Sequence, residues 1–282
     1  MVDSFTGVTE TVATSIDVGS AILQIELTQN SVLLNTVSDY TSWVLPGANT
    51  VKVPRAGSFT AGDKVENTAS EFQSLTFATD DIELSIHKHI VAEIEDLAQA
   101  QSAVDVEGEY IRRMAAGMVR AIESSVAGVL VKAANEIQLS GTSNLLITKA
   151  DILGARKLLD DANCPSNDRF LACPPEQEKA MLLIDSFVDA SQYGSNRPVM
   201  NGELGEIFGM KVIKSTSFAS DTEAVVYHRS HVAFARQIAP KFEKQRASLS
   251  KLANELSLSL VYGVKQLDSG SRGIYLDETV VA

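Results

Sequence analysis

Residues 103–138 read AVDVEGEYIRRMAAGMVRAIESSVAGVLVKAANEIQ. Apolar side chains recur at Ile111, Met114, Met118, Ile122, Val126, Val129, Ala133 and Ile137. Steps of three and four lay these on one stripe of an α-helix. Ser102 is placed to cap its start, with Asp105 three residues on, and Gly141 to stop its end. No proline interrupts the run. At 1.5 Å per residue the helix would extend roughly 54 Å. A compact globule of this chain length is only roughly 50 Å across. The helix is therefore expected to act as a spine through an elongated or plate-shaped subunit.

Working outward, the 282 residues suffice for one large domain or two modest ones. The net charge of −12 disfavours nonspecific phosphate binding, which needs Lys and Arg to replace counterions. It leaves room for a protein that surrounds nucleic acid without gripping it. The two cysteines, Cys164 and Cys173, fit no metal or redox spacing and are expected to be reduced thiols. The N-terminus lacks a signal peptide's basic and apolar regions, and no apolar run approaches a membrane span.

Residues 1–45 contain no Lys or Arg and hold apolar residues that close no local core. They read as an extended arm, ordered only where it docks. Pro46-Gly47 opens a long hairpin over 46–86: one strand about 50–55, a Gly-rich turn region with Gly57 and Gly62, and a return strand from Phe72 through Ile86. A lone two-stranded ribbon is marginal, so it should lie on its own body or on a neighbour. A short helix is expected over 90–99. Thr148 and Asp151 form a capping box for a helix that ends before Pro165. Residues 169–173 read as a buried strand, and Pro175 opens a helix over PEQEKAMLLI. A polar loop spans 185–210; strands follow at 210–214 and 223–228. A basic stretch, with Lys241, Lys244, Arg246 and Lys251, precedes two closing β-like runs.

Candidates for chemistry are thin. His87 and His89 share a strand face without a visible third ligand, and His228 and His231 are no better placed, so no metal is assigned. GELGEIFG is neither a dinucleotide loop nor a Walker loop, and no G-x-S-x-G elbow exists. No catalytic residue and no cofactor follow.

The order of parts and five runs of sequence resemble one family. The runs are AQSAVDVEGEY (100–110), ARKLLDDANCPSNDRFLACPPEQEKAMLL (155–183), DASQYGSNRPVMNGELGEIFGMKV (189–212), AVVYHRSHVAFA (224–235) and LVYGVKQLDS (260–269). They resemble the major capsid protein of tailed bacteriophages, with the Hong Kong 97 type fold, in its short-tailed branch. The resemblance implies an α+β capsid fold: N-arm 1–45, E-loop 46–80, peripheral domain 81–139 with the spine, axial domain 140–235, and a return to the peripheral domain over 236–282. It implies a subunit that assembles with itself in pentamers and hexamers into an icosahedral shell around double-stranded DNA. A scaffolding protein, a portal protein and an optional decoration protein are its implied partners, with assembly in the host cytoplasm and residence in the virion capsid. The chain starts at the arm, so a separate scaffold is expected. An encapsulin-like nanocompartment is the alternative. Some relatives crosslink Lys to Asn; Lys52 and Lys64 lie where such a lysine would, but no motif places the Asn or the Glu base. Arg55 and Lys64 at the hairpin, and Tyr193, Asn196 and Arg197 in the axial loop, are the expected subunit-interface residues.

Overall fold

The computed structural model describes residue 22 and residues 31–57, 59–64, 66–67, 69, 72–74, 77–101, 106–141, 146–184, 205–247 and 251–277. Ser102 and Asp105, most of the 185–210 loop, and with it Tyr193, Asn196 and Arg197, lie outside the described residues. The chain is α+β, built on two sheets and a docked hairpin.

The spine, α2, spans Val106–Leu130, preceded by the short helix α1 (Asp96–Gln101). Its 25 residues make it roughly 37 Å long. It buries Ile111, Met114, Met118, Ile122 and Val126 as the stripe requires, while Val129 is only half-buried and its neighbour Leu130 is buried instead. The helix stops eight residues earlier than the pattern suggests. Residues Asn135–Gln138 instead form strand β5, parallel to β12 (Gly273–Asp277). Ladder bonds to a partner more than a hundred residues away outweigh the modest helical preference of a stretch with Asn135 and Ile137. Gly141 is no helix stop; it lies where a Cβ would sit 2.1 Å from the Leu146 carbonyl oxygen.

The first sheet has the order β1-β10-β11-β4: β1 (Ser38–Asp39), β10 (Val232–Arg246), β11 (Ala253–Gln266) and β4 (Ile86–Glu95). Residues 90–95 thus belong to a strand, and the expected helix there shrinks to α1. On β11, Leu256, Leu258, Leu260 and Tyr262 face the spine, while Ser257, Ser259 and Val261 face away. The opposite face of this sheet carries the hairpin strands β2 (Thr50–Ala56) and β3 (Phe77–Glu83). There Val51, Ile82 and Leu84 pack on Ala233, Ala235 and Leu267.

The second sheet has the order β5-β12-β9-β6-β8-β7, adding β6 (Arg169–Cys173), β7 (Glu206–Ile207), β8 (Met210–Lys214) and β9 (Ala224–His228). Helix α3 (Lys149–Asp161) has the expected Thr148–Asp151 capping box, and α4 (Pro175–Leu182) has proline in its first turn. Alternate residues of β6 serve different cores. Phe170 and Ala172 join the spine's cluster; Leu171 and Cys173 join the cluster under α3 and α4. Both faces of this sheet are therefore covered, which is why β6 after Arg169 reads as an unbroken apolar run. Burial pushes the Cys173 thiol up to about 12, and both cysteines are free.

Candidate assembly interface

The hairpin is the largest element without a core of its own, and its seat decides what it presents outward. Its ladder runs from Thr50 opposite Glu83 to Ala56 opposite Phe77. Close to the open end, Arg55 Nη1 donates to Asp268 Oδ1 at 2.7 Å and lies 4.0 Å from Asp80. The Asp268 backbone N–H donates to Asp80 Oδ2 at 3.0 Å. Arg272 holds the other Asp268 oxygen at 3.0 Å and donates to Ser230 Oγ at 2.6 Å. Asp268, Ser269 and Gly270 follow one another with φ of +56°, +52° and +79°. This left-handed run turns the Asp268 carboxylate and its own N–H toward the hairpin. Arg55, expected at a neighbour, thus pairs within its own chain.

Because Arg55 is partly exposed, the clamp is worth little in isolation, about 0.2–1 kcal/mol. Arg55→Ala is expected to leave global unfolding nearly unchanged. It should speed hydrogen exchange in β2 and β3, and high salt should do the same to the native chain. Equal exchange in both proteins would remove the clamp from the account.

Beyond Arg55 the tip presents Phe59, Phe72 and Phe77, all exposed. Its two arms are tied by the Gln73 amide. Gln73 accepts from Thr60 N–H at 3.0 Å and donates to the Thr60 carbonyl at 2.5 Å. Lys64 is exposed on this tip, as is Lys52 on β2. Solitary aromatic side chains in water, on a ribbon with no core, are groups that gain from burial against another surface.

The arm is fastened through a residue that the sequence reading passed over. Glu123 sits in the buried column Ala115–Val119–Glu123–Ala127 of the spine. Its carboxylate accepts the Leu33 N–H at 3.0 and 3.1 Å and the Leu34 N–H at 3.1 Å. Leu33 and Val37 then bury beside it. The signal was present: one acid interrupting an otherwise small or apolar four-residue column. Burial raises the Glu123 pKa, and the backbone donors pull it back only in part. The folded state thus holds this proton more firmly than the unfolded chain. Stability from this group is full below its ordinary value of 4.5 and declines as pH rises through the raised midpoint. Glu123→Leu strands the Leu33 and Leu34 N–H groups and should cost about 1–3 kcal/mol. Proteolysis ahead of residue 38 should accelerate; unchanged cleavage would mean the arm is held elsewhere.

The basic stretch does not form a free positive patch. Lys241 pairs with Glu243, Lys244 with Glu107 at 2.8 Å, Arg246 with Asp96, and Lys251 with Glu93 at 3.0 Å. Glu243 lies on the same strand, while Glu93, Asp96 and Glu107 come from β4, α1 and α2, far away in sequence. His87 and His89 stand exposed with rings 6.3 Å apart. Among the described residues, no group of three His, Cys, Asp or Glu side chains is arranged to hold a metal. No helix among them is long and apolar enough to cross a membrane.

A family model described as phage capsid protein matches residues 91–275. No curated protein matches the chain. Among solved structures it is similar to that of Mycobacterium phage Che8, at 19% identity over 89% of this chain and 92% of that one, with a TM-score of 0.75. The capsid of Cyanophage P-SCSP1u shares 17% identity over 86% of each chain, TM-score 0.71. A virus-like particle from Pyrococcus furiosus shares 10% identity over 93% of this chain and 99% of that one, TM-score 0.63.

Proposed function

The chain belongs to the phage capsid protein family, and from that membership we infer that it is the repeated tile of an icosahedral shell around a double-stranded DNA genome. The observation that carries the reading is the family match over residues 91–275, which runs from within β4 to within β12 and so takes in the spine, the second sheet and the first sheet apart from β1. Members of such a family are structural proteins. The chain accordingly acts by repeated thin contacts, which sum along a lattice through effective concentration.

In this reading residues 1–45 are the N-arm and 46–80 the E-loop. Residues 81–139 and 236–282 make up the peripheral domain, and 140–235 the axial domain. The grouping is supported by β4, β10 and β11 sharing one sheet over the spine, while β6 to β9 lie in the other. The closing strand β12 crosses back to the second sheet. Lys64 on the hairpin tip and Tyr193, Asn196 and Arg197 in the axial loop meet neighbouring copies. Arg55 takes part there only if its clamp opens. A net charge of −12 suits a wall along which phosphate slides during packaging. A scaffolding protein, a portal and a decoration protein are the expected partners, with assembly in the host cytoplasm and no covalent crosslink through Lys52 or Lys64. A cargo-holding nanocompartment gains no better support than a genome shell.

Electron microscopy of the chain expressed with and without its scaffold tests the reading. Closed shells of pentamers and hexamers are expected, with DNA in particles taken from virions. A small monodisperse oligomer under both conditions would refute it, and cargo protein in place of DNA would favour the nanocompartment. Denaturing electrophoresis should give a single band; a ladder would establish crosslinking.

A further inference from the structure

His231 is buried completely, and neither ring nitrogen makes a well-formed hydrogen bond; the Leu130 carbonyl is the one backbone group that acts on the ring. Buried polar side chains are rarely left this way, so the exception asks for a reason. Its position supplies one. The chain passes between the two sheets at three places, and all three meet at this ring. The turn Arg229–His231 carries the chain from β9 in the second sheet to β10 in the first. The link 267–272 carries it back from β11 to β12, and the Leu267 N–H donates to the His231 carbonyl at 2.8 Å. The third passage leaves the spine at Leu130 for β5, and the Ala134 N–H donates to the Gly270 carbonyl at 3.2 Å. The link is further fastened by the His228 N–H, which donates to the Arg272 carbonyl at 3.1 Å.

The slot leaves no room. A Cβ added at Gly273 would lie 2.5 Å from both Cε1 and Nε2 of His231. The Tyr227 ring lies 6.4 Å away, centroid to centroid. The titratable and charged groups on the surrounding elements are Tyr227 and His228 on β9, Arg229 on its own turn, Lys132 just past the spine, and Asp268 and Arg272 on the link. Among the described residues none is bonded to the ring. Asp268 is taken by Arg55 and Arg272, and Tyr227 by Thr36. The Leu130 carbonyl favours a charged imidazole, but burial outweighs it and pushes the pKa down to about 4. The slot accepts a neutral ring and offers a proton no counter-charge.

We propose that His231 is an acid-releasable pin in the joint between the two sheets. The neutral ring locks the three crossings together. On protonation the ring leaves its slot, and the turn 229–231 and the link 267–272 come free, so the two halves of the tile can shift against each other. This goes beyond the shell reading and does not depend on it, since the joint lies within one chain.

The direction follows from the lowered midpoint. The joint is fully locked above the ordinary histidine value of 6.5 and loosens as pH falls toward about 4. At pH 5 the two midpoints give a loss of about 30-fold in protection relative to pH 8. The test is hydrogen exchange by mass spectrometry on the full chain, assembled or not. Backbone protection factors are read for 229–231 and 267–273, and the Cε1 exchange of each histidine is read in the same samples. His231 should titrate well below the ordinary histidine value of 6.5, and the two segments should lose protection together with it. In His231→Leu their protection should not respond to pH between 4 and 7; in His228→Gln the response should persist. If His231 titrates near 6.5, or if the response survives in His231→Leu, the proposal is overturned. Should His231→Leu not fold, the titration of the unaltered chain decides alone. Absence of shells would count against the capsid reading and leave this result standing.

Discussion

Tyr227→Ala is expected to lower the unfolding free energy by about 3–5 kcal/mol, the range for emptying a fully buried aromatic site. Tyr227 lies on β9, on the side of the second sheet that faces the spine, and is entirely buried. Its ring packs 5.8 Å from that of Phe170. Its hydroxyl lies 2.5 Å from Thr36 Oγ1, which in turn donates to the Leu33 carbonyl at 2.7 Å. The phenol is therefore the donor to Thr36, and burial raises its pKa so that it stays protonated. One side chain thus joins the arm, the second sheet and the spine cluster. Alanine would leave a cavity bounded by rigid strands that cannot collapse into it. Tyr227→Phe keeps the ring and should cost only about 1 kcal/mol, the usual net worth of a hydrogen bond. Denaturant midpoints of the unassembled chain measure both. If the alanine variant costs no more than the phenylalanine variant, the packing account of this junction is wrong.

Gly263→Val should unseat the hairpin and abolish assembly while sparing the spine core. Gly263 lies on β11 where the end of β3 passes over it. A Cβ there would meet the Glu83 carbonyl oxygen at 2.2 Å and its carbon at 2.9 Å, with the Leu84 side chain at 3.2 Å. The first two atoms are backbone, so no rotamer change relieves the clash. Either β11 distorts or Glu83 and Leu84 lift, taking Ile82 and Leu84 out of their small cluster on Ala233 and Ala235. Overpacking of this kind costs about 1–3 kcal/mol or more. The functional effect should exceed the thermodynamic one, because each contact of a lattice depends on where the hairpin points. Sedimentation should show loss of particles, and residues 77–84 should exchange quickly, while 114–130 stay protected. Normal particle yield from Gly263→Ala and Gly263→Val would sink the claim that this crossing seats the hairpin.

The legible parts of the sequence were those whose cause is local. The Thr148–Asp151 box, the first-turn Pro175 and the apolar run 170–173 each carry their reason within a few residues, and each forms as read. The failures share a different cause. Ile86, Ile90 and Ile94 recur every four residues, a spacing that both helix and strand satisfy. Pairing with β11 decided for strand. Residues 135–138 likewise follow β12 rather than their own pattern. The basic stretch is noted in the sequence without its partners, because Glu93, Asp96 and Glu107 lie more than 130 residues away. The pairing of Arg55 with Asp268 was hidden for the same reason: nothing near Arg55 in sequence announces Asp268. Glu123 alone could have been found, as the charge in a buried column.

The pairing of β5 with β12 has a consequence in time. Residues 135–138 must wait for 274–277 before their ladder can close, and the arm waits for β10. Separations of this size make folding slow, since the entropy of closing a long loop is spent before any contact repays it. A nascent chain on the ribosome therefore keeps its second sheet unfinished until residues 273–277 have emerged. A prematurely terminated product lacks β12, exposes the edges of β5 and β9, and cannot present a finished tile. The topology itself screens out incomplete subunits before any of them can enter a growing wall.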